Sequence, residues 1–392
     1  MIEFTDNISK IMSNDSQNGY SILTYCDISN EYTDNRFQEI VANIITNFPV
    51  LKQRIVKKDS DIILETIEPF DIQDYYKVIY DKHDKFDSYI HTLLNSQFET
   101  ESRWLIRYIA DIENKKYRIY FKIDHAYADG YKIIEMLMTV LKKIDKDTIF
   151  KPHNTNIMDT LYYYIIGTCI LVYMNLKLFI NILIKKDIGP ATGKTSYIRC
   201  NPFKLSRIKD ITKKHNITVN DFLYSLMIKT DLLYTMRKRE IITCSSINIS
   251  RLNNFNNMMP ILNEITNSME DTDLLKNVHT VFNYFKYSLY IPFTSIIVNN
   301  ILNIVPLNTV NNLYNNLIQK IDYAYSNIIG PTHEALEDIH FLTLAKDKEI
   351  VFNIISSNDN INIICSFKEG VINDTKRFEQ CIYEAYESLI NT

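Results

Sequence analysis

Glycine is scarce in this sequence, at seven of 392 residues, and proline stands at nine. The motifs that depend on glycine are correspondingly incomplete. "GPATGKT" at 189–195 sets three residues between its glycines where a phosphate cradle needs four, and Pro190 removes a backbone N–H that such a cradle would use. No G-x-S-x-G elbow occurs, so a serine hydrolase has no support. The formal net charge of -4 leaves no global basic field, which excludes the usual signature of a nucleic-acid binder.

Cysteine is present without a pattern. Cys26, Cys169, Cys200, Cys244, Cys365 and Cys381 form no C-x-x-C pair and no His/Cys cluster at zinc spacing, and read as reduced thiols in a cytosolic compartment. "HEALEDIH" at 333–340 resembles a zinc-protease helix, but its histidines stand seven apart rather than four, a turn too far to share an ion. No metal and no cofactor are expected. "MIEFTDNISK" carries no apolar core, so the expectation is that no signal peptide is present and the chain is not secreted.

The hydrophobic content of 46% over this length is enough for a large core and exceeds one typical domain, which points to two domains or a two-lobed fold. Abundant Ile, Asn and Tyr read as compositional drift, so motifs are weighed on spacing and context. "EIVANIITNFPVLKQRI" has helical spacing broken at Pro49, and "DIILETI" alternates like a strand. Residues 86–96 and 131–144 read as helices, with "SRWLIRYIADI" and "KYRIYFKID" as strands paired around "ENKK". Further on come a strand at "TSYIRCNP", a basic helix at 204–214 and a long helix from Val219 that Thr218 or Asn220 can cap. "EIITCSSINIS" reads as a strand, "EIVFNIISSNDNINIICSFKEG" as a hairpin, and 374–390 as a closing helix. The fold class is α/β.

Between Leu161 and Ile184 the only charge is Lys177, and 24 helical residues would span about 36 Å, enough for a bilayer core. Lys177 and Asn181 share one helical face, as in a helix lying in the membrane plane, while Asn175 points the other way. Membrane contact and a wholly buried helix both remain open on these residues.

His125 in "KIDHAYADGYKIIEML" follows a strand, with Asp129 four residues later, Gly130 next and a helix after it. A strand end fixes the backbone while the loop exposes the side chain, and an imidazole can serve as a general base near neutral pH. Gly130 would let a substrate approach the backbone. A structural turn carrying an incidental histidine explains the local string equally well.

The wider chain breaks that tie. "DHAYADG" resembles the H-H-x-x-x-D-G motif of the CoA-dependent acyltransferase superfamily, and several segments in order resemble its wax ester synthase/diacylglycerol acyltransferase branch. These are "NFPVLKQRIV", "SRWLIRYI" where that branch has P-L-W, "ITVNDFLYSLM", "SSINISRL" and "YSNIIGPTHEALEDI", over about residues 40 to 390. The resemblance implies two chloramphenicol-acetyltransferase-like lobes with mixed sheets and a central channel. The divisions are 1–150, a 151–190 crossover with the apolar helix, and 191–392. It implies transfer of a fatty acyl group from acyl-CoA, as co-substrate, to a long-chain alcohol or diacylglycerol, with His125 as base. Asp129 would pair with Arg251 to hold the loop, Gly130 would give access, and Asp124, Trp104, Asn220, Asp221, Ser326, Asn327 and Gly330 would line the site or channel. Plant members of the branch have a membrane segment where 161–184 falls. Membrane association on the cytosolic face, at an endoplasmic-reticulum-like or lipid-droplet surface, is therefore expected. Asp124 replaces the first histidine of the motif and Ser102-Arg103-Trp104 replaces P-L-W. A catalytically inactive membrane-attached binding protein, or an enzyme with a non-lipid acceptor, is the alternative.

Overall fold

The computed structural model describes residues 2–3, 20–58, 61–140, 162–184, 191, 193–248, 258–267, 270–289 and 305–392. The first half runs β1 (Ile2–Glu3), β2 (Ser21–Ile28), α1 (Asp34–Asn47), β3 (Gln53–Lys58), β4 (Asp61–Thr66), β5 (Tyr76–Tyr80), α2 (Phe86–Asn95), β6 (Trp104–Asp111), β7 (Lys116–Asp124) and α3 (Gly130–Val140). The second half begins with α4 (Thr168–Ile184), β8 (Thr195–Arg199), β9 (Phe203–Lys204), α5 (Leu205–His215), α6 (Val219–Thr235), β10 (Glu240–Asn248) and β11 (Met258–Thr266). It continues with α7 (Asp271–Tyr287), α8 (Leu307–Ile318), β12 (Tyr323–Ile329), β13 (Leu336–Thr343), β14 (Ile350–Ser357), β15 (Asn360–Lys368) and α9 (Thr375–Ile390).

Local chemistry accounts for the element ends. Thr33 caps α1 by accepting from the Arg36 N–H, and the helix buries Phe37, Ile40, Val41, Ile44 and Ile45 at helical spacing until Phe48-Pro49 ends it. Thr218 and Asp221 form a reciprocal capping box at the start of α6. The β6–β7 and β14–β15 hairpins turn through Lys115 and Asn358, with φ of 50° and 52°.

Among the described residues, two mixed sheets carry the lobes. The N-terminal sheet has the order β13-β2-β7-β6-β5 and the C-terminal sheet the order β11-β10-β12-β14-β15-β8, with β9 on β15. A third, smaller sheet is β1-β4-β3. The second half lends one strand to the first half's sheet. β13 comes from the second half, yet it pairs antiparallel with β2, setting Ile339 opposite Cys26 and His340 opposite Tyr25. The "HEALEDIH" stretch, whose histidines stand seven apart rather than at zinc-protease spacing, thus runs into a sheet strand. The apolar cluster that includes Leu23, Tyr25, Phe86 and Tyr120 also takes in Leu342 and Ile364 from the second half.

A buried charge network lies beside that cluster. The Arg118 guanidinium, 5% exposed, holds Asp27 at 2.5 Å and Asp87 at 2.7 Å, and Arg199 of β8 reaches the same Asp87 at 2.6 Å. The Arg118 guanidinium also sits over the Tyr25 ring, 4.9 Å from its centroid. Asp87 of α2 therefore links the lobes. Burial raises its carboxyl, but the hydrogen bonds and charges of Arg118 and Arg199 outweigh this and hold it below the usual range.

Gly330 marks a close approach of backbones. A Cβ there would lie 2.3 Å from the Ser356 carbonyl oxygen, and the Gly330 N–H donates to that oxygen at 2.7 Å. At Gly130 the obstructing atom is the Ile328 Cδ1 tip, 2.1 Å from an added Cβ. Gly330→Ala is therefore expected to destabilise the fold more than Gly130→Ala, because a side-chain tip can rotate and a strand carbonyl cannot; midpoints of urea unfolding check the ranking. The Asp87 clamp gives a pH dependence. Its folded-state pKa lies below the unfolded value of about 4, so its stabilisation is present above that pH and lost as the pH falls through the folded value. Asp87 is half exposed, so the effect is about 1 kcal/mol or less. Between about pH 5 and about pH 3, Asp87→Asn should lose less stability than the parent chain, measured by urea unfolding at each pH.

Candidate active site

His125 occupies a turn between β7 and α3. The Asp124 carbonyl accepts from the Tyr127 N–H at 3.0 Å, and the His125 N–H donates to the Tyr20 carbonyl at 2.7 Å. Ala126, Tyr127, Ala128 and Asp129 are buried while His125 is half-buried. The Tyr127 hydroxyl donates to the Gln53 carbonyl at 3.0 Å, tying the turn to β3. This loop is held like core on every residue except the one whose side chain is wanted at a surface.

Asp129 is the cap of α3: its Oδ1 accepts from the Lys132 N–H at 2.9 Å and its carbonyl accepts from the Ile133 N–H at 3.0 Å. The expected Asp129–Arg251 pair cannot be placed, since Arg251 lies outside the described residues. Gly130 opens α3 directly against Ile328 of β12. The H-x-x-x-D-G loop of the first half therefore abuts the "YSNIIG" strand of the second.

Asp124, the residue standing where the family motif has its first histidine, is fully buried and bonded to Arg103 at 3.0 Å. Burial raises its carboxyl, opposed by the Ala126 N–H and by the charge of Arg103. Lys122, two residues earlier, is buried as well; burial pushes its amine down to about 8, opposed by the charge of Asp124. Trp104 is fully buried. Its Nε1–H donates to the Leu51 carbonyl at 2.8 Å, and its ring stacks on Tyr75 with centroids 4.7 Å apart.

Asn220 and Asp221 separate in role. Thr218 caps α6, and the Asn220 carboxamide oxygen instead accepts from the Tyr325 hydroxyl at 3.1 Å and from Asn327 Nδ2 at 3.0 Å. The start of α6 is thereby bonded to the β12 strand that touches Gly130. Ser326 lies half-buried on the same strand, in register with Asn353 of β14, and Gly330 follows its end. Asp221 completes the capping box and also bonds His279 Nδ1 at 2.7 Å, while His279 Nε2 meets Asn283 Nδ2 at 3.0 Å. Burial raises the Asp221 carboxyl, yet the His279 bond and the charge of Lys286 hold it below the usual range. His279 was not singled out from the sequence. Its signal is the i, i+4 spacing of His279 and Asn283 on a helix that buries the neighbouring Val278 and Phe282.

Among the described residues no group of three or more His, Cys, Asp or Glu side chains is placed to hold a metal ion, and no helix is long and apolar enough to cross a membrane. The apolar segment forms a single π-helical turn over Tyr163–Gly167 and then α4. Leu171 and Leu178 face the core, while Val172, Tyr173, Leu176 and Ile180 are exposed, Tyr173 by 69%.

A search of curated protein sequences found no match. Among solved structures, the wax ester synthase/diacylglycerol acyltransferase from Marinobacter aquaeolei VT8 is similar at a TM-score of 0.62 and 13% identity, over 99% of this chain and 98% of that one. The TRI3 trichothecene 15-O-acetyltransferase from Fusarium sporotrichioides is similar at 0.68 and 10% identity, over 99% and 94%. The starter condensation domain of rhizomide synthetase RzmA, solved in complex with C8-CoA, is similar at 0.60 and 8% identity, over 99% and 90%. Residues 254–390 match the family model described as WS/DGAT C-terminal domain. Residues 254–390 are thus similar to the wax ester synthase/diacylglycerol acyltransferase C-terminal domain, and the chain has the two-lobed, mixed α/β fold of these acyltransferase and condensation-domain structures.

Proposed function

We propose that this chain is an acyl-CoA-dependent O-acyltransferase that moves a fatty acyl group to a long-chain alcohol or diacylglycerol at a membrane surface. The observation that carries this reading is the His125 turn, buried on its other residues and seated by Gly130 against β12 of the lobe whose sequence matches the family model. In the proposed reaction His125 takes the proton of the acceptor hydroxyl as that oxygen attacks the thioester carbonyl. Collapse of the tetrahedral intermediate breaks the C–S bond, and the imidazolium returns the proton to the CoA thiolate, leaving ester and free CoA. Asp129 keeps α3 capped behind the loop, and the Tyr127 hydroxyl ties the loop to β3, so that the base is held by packing rather than by substrate.

The membrane part of the reading rests on α4. Val172, Tyr173, Leu176 and Ile180 fall within about 100° of one another around the helix, and all are exposed. A helix apolar on all sides belongs in a core or against lipid, and one side of α4 already faces the core through Leu171 and Leu178. Lys177, at the border of the stripe, is drawn aside to Glu264 at 3.3 Å and Glu240 at 3.4 Å. The lipid-facing side is thereby left without a charge of its own.

Labelled fatty acyl-CoA incubated with purified protein and either a long-chain alcohol or a diacylglycerol should give labelled ester. His125→Ala should lose at least about a hundredfold of that rate. Equal product from the two proteins removes the catalytic role of His125, and no product from either leaves a binding protein of the same fold. Flotation with lipid vesicles tests the second part. The parent chain should rise with the vesicles, and Val172→Glu/Leu176→Glu should remain in the dense fractions with an unchanged circular dichroism spectrum; equal flotation of both would exclude α4 as the contact.

A further inference from the structure

Two positions at which this sequence departs from the family pattern meet in space. Arg103 stands at the middle of the stretch that reads P-L-W in the family, and Asp124 stands at the first histidine of H-H. Trp104 pairs with Ile123 across β6 and β7, which sets Arg103 beside Asp124, and the Asp124 N–H donates to the Arg103 carbonyl at 2.9 Å. Arg103 Nη1 donates to Asp124 Oδ2 at 3.0 Å, where the carboxylate side chain has no exposure and the guanidinium 19%.

The other oxygen of the carboxylate has a separate task. Asp124 Oδ1 accepts from the Ala126 N–H at 3.0 Å, spanning His125, and the Asp124 carbonyl accepts from Tyr127 N–H one residue further on. An aspartate at the first position of a turn, bonded to the N–H two residues on, fixes the conformation of the residue between. Here that residue is His125. Without Arg103 the fully buried Asp124 carboxylate would lose its ion-pair partner, and together the two make a neutral, hydrogen-bonded pair.

We propose that Arg103 and Asp124 form one positioning unit for His125, in which the arginine fixes the carboxylate and the carboxylate fixes the turn that presents the imidazole. The catalytic consequence rests on the acyltransferase reading, whereas the geometric one does not. His125 is the group that touches substrate, and Arg103 and Asp124 act through it.

The test uses Asp124→Asn, Arg103→Leu and the double variant Arg103→Leu/Asp124→His, which writes the family residues at both positions. Asp124→Asn should lower kcat on the order of tenfold with KM for acyl-CoA within about twofold, because a displaced base slows the chemistry more than it weakens binding. Arg103→Leu should lose more, and the double variant should recover to within about threefold of the parent chain, a non-additivity expected only of a coupled pair. A second readout is the rate at which diethylpyrocarbonate modifies His125, followed by mass spectrometry of its peptide. That rate should change in the single variants and return in the double. It requires no acyl transfer, so a parent chain inactive toward acyl-CoA would sink the acyltransferase reading and leave the modification rates to decide the positioning. If Arg103→Leu does not fold, Asp124→Asn and the double variant suffice. Parent-like kcat and modification rate in Asp124→Asn, or a double variant no better than Asp124→Asn, overturns the proposal.

Discussion

The antiparallel pairing of β13 with β2 is the interaction on which the site's geometry depends, because it lays a strand of the second half along the edge of the first half's sheet. β2 pairs with β7 on its other side, and β7 ends at Asp124. The same segment that leaves β12 at Gly330 therefore crosses to the sheet that presents His125. Once β13 is fixed, β12 has little freedom relative to the loop before α3, and the Gly130–Ile328 contact follows from that restraint. Long-range pairing of this kind costs loop entropy before any contact rewards it, so it is retained only with strong local anchoring.

Part of that anchoring is electrostatic. Arg118 of β7, Asp27 of β2, Asp87 of α2 and Arg199 of β8 bring four charges together around three aromatic rings. Such a group gains little net free energy over well-packed hydrocarbon, since the desolvation of each ion offsets the attraction. Its geometry is nevertheless demanding: Asp87 can satisfy both guanidinium groups only when β8 and β7 stand at one separation. The network thus restricts the relative placement of the lobes more than it deepens the well. The Arg103–Asp124 pair applies the same chemistry on a smaller scale, one residue from the imidazole.

The fold was legible in the sequence wherever local spacing decided structure. Pro49 ended a helix, the "ENKK" and "SNDN" turns made hairpins, and of the two caps offered for α6, Thr218 and Asn220, Thr218 is the one used. β13 was not legible as a strand of the first sheet, because pairing with a partner about three hundred residues away leaves no local mark. Of the candidate site, the turn carrying His125, Asp129 and Gly130 was legible, because these residues lie in one stretch of chain. Asn220 and Asn327 were each named, but their bond to one another across 107 residues was not. His279 went unnoticed because its partner, Asp221, lies 58 residues away, although its own helix carries Asn283 one turn on. Two departures from the P-L-W and H-H patterns read as separate losses in the sequence, and only the β6–β7 register shows that the two residues are neighbours.

The apolar segment before the second lobe illustrates how composition can fix a preference without fixing a geometry. Its residues are mostly apolar, with Lys177 the one charge, which is compatible with crossing a bilayer, lying on one, or filling a core. The fold divides them. Leu171 and Leu178 are committed to the protein, and Gly167 packs so tightly on Tyr284 of α7 that a Cβ would come within 3.0 Å of its ring. A helix pinned along one side in this way cannot be surrounded by lipid, so the exposed stripe of Val172, Tyr173, Leu176 and Ile180 is suited to a bilayer met from one side. An acceptor as apolar as a long-chain alcohol partitions into such a surface, and an enzyme resting there would draw it from the lipid rather than from water. On the proposed acyltransferase reading, the asymmetric burial of α4 would bring the protein to the pool of acceptor, and the turn that holds His125 would keep the base in place when the acceptor arrives.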